Sequence, residues 1–128
     1  MEGYEVILEV KNGYPDDSAA RNMILEVGRR MYENRYVAAN DGNISCKVSE
    51  DTIWVTPTGV SKGFMQEKDL IKMKLDGEIL EGTLKPSSEI RMHLRVYQED
   101  KRVKSVVHAH PKLATLFAIA NKTIDSRH

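Results

Sequence analysis

The pattern of apolar and polar positions changes period several times along the chain. Tyr4, Val6, Leu8 and Val10 share one parity and predict a strand over residues 1–10. Asn12-Gly13 and Pro15 break it, and Asp16, Asp17 and Ser18 supply helix-start residues. Ala20, Met23, Ile24, Val27 and Met31 then recur at three and four, which predicts a helix from about Ser18 to Arg35. After it the period drops to two. Ile44, Cys46 and Val48 alternate, Ser49-Glu50-Asp51 turns, and Ile53-Trp54-Val55 returns as a second strand. Gln66–Leu70 reads as a short helix. A second hairpin follows, with Ile71, Met73 and Leu75 leading into Asp76-Gly77 and Ile79-Leu80 returning.

Pro86 and Ser87 open a second long helix whose apolar side holds Ile90, Leu94 and Tyr97, with Met92 and Val96 beside it. Glu99–Arg102 is a charged turn, Ser105–Ala109 a buried strand, and Pro111 starts a third helix through Leu113, Leu116, Phe117 and Ala120. Two adjacent hairpins among helices predict an α/β chain with a mainly antiparallel sheet and helices packed on it, rather than a Rossmann alternation.

Composition narrows the function classes. Nineteen basic residues balance nineteen acidic ones, which excludes a strong electrostatic footprint for nucleic acid or an anionic membrane. The longest uncharged stretches, Ser105–Pro111 and Leu113–Asn121, are too short to span a bilayer. Cys46 is the single cysteine, so no intrachain disulfide forms, and a reducing, cytoplasmic setting is expected. The 128 residues fit one domain.

Four short motifs carry candidate chemistry. His108-Ala109-His110-Pro111 sets two imidazoles on one side of a strand end, in reach of one divalent cation. The same pair also reads as two polar residues closing a strand, and spacing alone leaves both readings open. Lys85-Pro86-Ser87-Ser88-Glu89 reads as an N-cap, or as an anion site at a helix start with a carboxylate beside it. Asp41-Gly42-Asn43-Ile44-Ser45 and Thr56-Pro57-Thr58-Gly59 read as turns, or as loops offering an amide, a hydroxyl and backbone N–H groups to phosphate. His93, four residues after Glu89 on a similar helical face, reads with it as a Glu-x-x-x-His metal pair or, as expected here, as a residue that packs or hydrogen-bonds.

Taken in order, GNIS, TPTG, KPSSE and HAHP resemble the class II aldolase/adducin family, in its L-fuculose-1-phosphate aldolase-like branch, from about Ser18 to Ala120. The resemblance implies an α/β/α sandwich, usually assembled as a homotetramer. It makes His108 and His110 two of three histidine ligands to a divalent metal, normally zinc, and Glu89 the catalytic carboxylate that also approaches the metal. Gly42, Asn43, Thr58, Gly59, Ser87 and Ser88 match the set that grips the substrate phosphate. The implied activity is cleavage of a sugar phosphate such as L-fuculose 1-phosphate to dihydroxyacetone phosphate and an aldehyde through an enediolate. Glu89, where epimerase-branch members tend to carry Asp, favours aldol chemistry. An epimerase or dehydratase on a related ketose phosphate, or a non-catalytic adducin-like assembly module, are the alternatives. The family's third histidine lies well downstream of its HAHP-like motif. Eighteen residues follow His110 here and His128 sits in no matching motif, so the chain is expected to correspond to the N-terminal and central part of such a domain, without the third ligand or the distal proton donor.

Overall fold

The computed structural model describes residues 4–6 (backbone), 13–34 and 42–109. It holds six strands: β1 (Tyr4–Val6), β2 (Asn43–Lys47), β3 (Thr52–Val55), β4 (Ile71–Lys74), β5 (Ile79–Glu81) and β6 (Ser105–His108). Two helices, α1 (Asp17–Glu33) and α2 (Ile90–Glu99), complete the frame with a 3-10 turn at Glu67–Asp69. The strands form one sheet in the order β1-β6-β2-β3-β4-β5, and every neighbouring pair is antiparallel. Each helix therefore connects two strands that run the same way, α1 from β1 to β2 and α2 from β5 to β6.

The helices cover opposite faces. Ala20, Ile24 and Met31 of α1 pack with Ile44, Cys46, Trp54, Leu70 and Val107. Tyr97 of α2 packs with Ile53, Val55, Ile71, Met73, Val103 and Val106 on the other side, with Ile90 and Leu94 against this second cluster. This is the α/β/α sandwich expected. Alternate residues of a strand point to opposite faces, so the two clusters divide β2, β3 and β6 by parity. All five residues of β2 are buried as a result.

α1 starts where Asp16 accepts a hydrogen bond from Ala19 N–H at 2.7 Å, a side-chain N-cap. Gly28 lies on its buried face, where a Cβ would meet Lys62 O at 2.7 Å and Met65 Cε at 2.8 Å. Only glycine lets the 62–65 loop approach this closely.

Several expectations shift at their edges. α2 begins at Ile90, three residues after Ser87, because Ser87 first closes a turn with Glu89 N–H on its Oγ and Ile90 N–H on its carbonyl. Glu89 stands at the N-cap position of α2 with no side-chain capping bond. The short helix at Gln66–Leu70 is a single 3-10 turn. Val48, Leu75 and Ala109 fall just outside their strands. The flanks of β1, Arg35 at the end of the first helix, and the third helix from Pro111 lie outside the described residues.

Candidate functional site

One end of the sheet gathers the motifs. β2 starts there, and β3 and β6 end there, because both run antiparallel to β2. Asn43 and His108 are register partners across β2 and β6. Gly42, just before them, takes φ +89°, a left-handed conformation that glycine adopts without strain. Thr56, just past β3, is tied to β2: its N–H donates to Ile44 O at 3.0 Å, and its Oγ1 accepts from Ile44 N–H at 3.1 Å.

The second and third motifs are clipped together. Pro57 and Pro86 form an isolated antiparallel bridge. Thr58 N–H donates to Lys85 O at 2.9 Å, and Ser87 N–H donates to Thr56 O at 3.0 Å. Gly42, Asn43, Thr58, Gly59, Ser87, Ser88 and His108, far apart in the chain, thus converge on one sheet end. Thr58, Gly59, Ser88 and Glu89 are exposed there, whereas Asn43, Ser87 and His108 are buried. His110 lies outside the described residues.

Behind this rim lies a buried polar cluster on the α2 face. Asn43 Nδ2 sits 3.3 Å from His108 Nδ1, and Asn43 Oδ1 sits 2.5 Å from His93 Nε2. Ser45 Oγ lies 2.6 Å from His93 Nδ1 and 2.7 Å from Tyr97 Oη. Burial, with His108 nearby, pushes the His93 imidazole down to about 3, so it is neutral. Burial also raises the Tyr97 phenol well above its ordinary range and keeps it protonated. The Asn43 amide, expected to face an anion, is held between two imidazoles. Its Nδ2 carries two hydrogens, so the contact with His108 uses one and leaves a second for an anion.

His93 matches the expectation of a hydrogen-bonded histidine. Ser45 and Tyr97 complete this cluster, a place that the motifs alone did not give them. A signal existed in the spacing: His93 and Tyr97 are four apart on α2, hence on one helical face. Ser45 shares parity with Asn43 on β2, so the polar positions of that strand face a helix and not water.

The donor chemistry suits a divalent cation. An imidazole and a carboxylate are the ligand types zinc takes, and His108 meets Asn43 through Nδ1. Among the described residues no group of three His, Cys, Asp or Glu side chains is gathered. His108 and Glu89 are the candidates within that range. Also among the described residues, no helix is long and apolar enough to cross a membrane.

An antiparallel sheet covered by a helix on each face, with a buried histidine at one end, is an α/β/α sandwich. Residues 22–128 match the Class II Aldolase and Adducin N-terminal domain. The chain belongs to that family. It is 34% identical over 105 residues to the L-fuculose phosphate aldolase of Methanocaldococcus jannaschii, covering 82% of this chain and 56% of that protein. It is 37% identical over 97 residues to the methylthioribulose-1-phosphate dehydratase of Granulibacter bethesdensis, covering 76% and 45%. A solved L-fuculose 1-phosphate aldolase superposes with a TM-score of 0.71 at 27% identity, covering 82% of this chain and 50% of that one. The chain spans about half the length of the curated relatives it matches.

Proposed function

We propose that this chain forms the phosphate-gripping and metal-holding part of a class II aldolase, acting on a sugar phosphate such as L-fuculose 1-phosphate. The observation that supports this most is the convergence of three loops and His108 on one sheet end, with the Thr58–Lys85 and Ser87–Thr56 hydrogen bonds tying two of those loops together. His108, His110 and Glu89 would hold a divalent cation, zinc by donor type. Such a cation, when bound, supplies Lewis-acid charge beside the substrate's oxygens.

The chain's own residues do the rest. The backbone and hydroxyls of Thr58, Gly59, Ser87 and Ser88, with Gly42 and Asn43, bind the phosphate. Phosphate binding is remote from the reacting carbon, so its energy serves to orient that carbon. Glu89 is exposed at the same rim and takes or returns the proton at the carbon that loses the aldehyde. Asn43 steadies the ring of His108. A cytoplasmic homotetramer is the setting proposed.

The dehydratase relative favours a second reading, loss of water from a related ketose phosphate. Zinc-loaded protein incubated with L-fuculose 1-phosphate should release dihydroxyacetone phosphate, read by a coupled reductase. Release from neither that substrate nor its stereoisomers, with water lost from methylthioribulose 1-phosphate, would replace the aldolase reading by the second.

A further inference from the structure

Thr58 and Gly59, the exposed pair of the TPTG loop, sit between two anchors. Upstream, Thr58 N–H donates to Lys85 O at 2.9 Å. Downstream, Lys62 is only 1% exposed, and its Nζ donates to Val60 O at 2.7 Å. A lysine this deeply buried on a connecting loop is unusual. Its backbone is seated on α1. The Lys62 carbonyl occupies the space that a Cβ on Gly28 would need, and a Cβ on Gly63 would stand 2.5 Å from Tyr32 Cγ. The ammonium therefore works from a fixed base.

A trans peptide sends its C=O and its N–H in opposite directions. No cis peptide occurs among the described residues. With Val60 O aimed at the buried ammonium, the Ser61 N–H of the same peptide points away from it. A loop that grips an anion must show N–H groups and turn its carbonyl oxygens away, because their partial negative charge repels phosphate. Thr58 has given its own N–H to Lys85, so each remaining N–H of the loop counts for more.

We propose that Lys62 is a positioning residue for the phosphate grip: it holds the Val60 carbonyl inward, so that the Ser61 N–H joins the Thr58 hydroxyl and the Gly59 N–H in facing the anion. Lys62 touches no substrate and acts through the Val60–Ser61 peptide. The role takes one of the ammonium's three hydrogens and is compatible with other partners for the rest. Without Lys62 Nζ, the Val60 carbonyl loses its donor. Turning the peptide toward water would recover a partner and place an oxygen where the anion sits. The inference rests on the reading of this loop as a phosphate site and adds a residue that the four motifs leave out.

The test is a titration of the full chain with inorganic phosphate, followed by amide proton–nitrogen correlation. In the wild type the Gly59, Ser61 and Ser88 amides should shift together. Lys62→Met fills the buried space without a donor. It should weaken phosphate binding about tenfold or more and abolish the Ser61 shift. Lys62→Arg, which restores a donor, should recover both. A folded methionine variant that binds phosphate as the wild type does would overturn the role of Lys62 and leave the phosphate reading standing. So would a wild-type Ser61 amide that stays still while Gly59 and Ser88 respond, a result that needs no variant to fold. Wild-type amides that all ignore phosphate would overturn both.

Discussion

Thr56 and Ile44 hold each other by two hydrogen bonds, and each residue spends its own backbone N–H on the other. One of the two acceptors is a side-chain hydroxyl at a position that is fully buried. The start of β2 is therefore fixed by a threonine that lies just beyond β3. Thr56→Val keeps the shape but removes the acceptor, stranding the Ile44 N–H away from water. The expected cost is about 1–3 kcal/mol in urea unfolding. The Gly42-Asn43 turn should also lose its anchor, seen as weaker protection of inorganic phosphate-bound protein against thermal unfolding. Wild-type stability in this variant would show that the pair carries no load.

Asn43 offers a sharper stability test. Asn43→Leu leaves Nε2 of His93 and Nδ1 of His108 facing an apolar group. Two buried polar atoms lose a partner at once, so destabilisation of about 2–5 kcal/mol is expected. Asn43→Asp should be milder, because the carboxylate keeps the acceptor facing His93 Nε2 and takes an Nδ1–H from His108 where Asn43 placed its Nδ2. Equal losses in the two variants would count against the network as a source of stability.

His93 sets a pH dependence with a definite sign. Burial holds its folded-state pKa at about 3, against 6.5 for the ordinary group. The unfolded chain therefore binds a proton that the native chain refuses, and stability rises with pH across that window. The contribution is fully present above about 6.5 and is lost as pH falls toward 3, by at most about 1.4 kcal/mol per pH unit. His93→Gln, neutral at every pH, should flatten this part of the curve. An unchanged slope in the variant would assign the acid sensitivity to other groups.

Cys46 points to the α1 face, away from the candidate site, and burial raises its thiol to about 12. Iodoacetamide at pH 8 should leave it unmodified in the folded protein and label it fully in denaturant. Rapid native-state labelling would mean that β2 opens locally.

For the proposed chemistry, Glu89→Gln should lower sugar phosphate turnover about 10²-fold or more, while the two histidines and the remaining amide oxygen keep zinc bound, more weakly than in the wild type. His108→Ala should instead strip the metal, read by elemental analysis. Turnover unchanged in the glutamine variant would remove Glu89 from proton transfer.

Much of the fold was legible because local signals agree with it. Asp76-Gly77 lies between β4 and β5, and Asp16 caps α1 next to an apolar stripe of the correct period. The polar side of β2 was harder. Alternation of Ile44 and Cys46 reads as one buried face and one wet face, yet Ser45 and Lys47 are as buried as their neighbours. Their burial depends on α2, which follows some forty residues later, and no window along the chain contains that pairing. The start of α2 was misjudged for a related reason. Pro86 and Ser87 carry helix-start chemistry, but the bridge to Pro57 holds them extended. The convergence of the loops could be inferred from family resemblance, whereas the line from His108 to Tyr97 needed coordinates.

The sheet order has a consequence for how the protein is made. β6 is the last described strand, and it enters between β1 and β2, the first two. Until it arrives, β2 presents an open edge and β1 lacks its one strand partner among the described residues. That edge is a hazard for association with other chains during synthesis, and its closure depends on contacts far apart in sequence. The strand that closes it also delivers His108. Completion of the sheet and appearance of the candidate ligand are thus one folding event, so a chain that has His108 in place has also closed the open edge of β2.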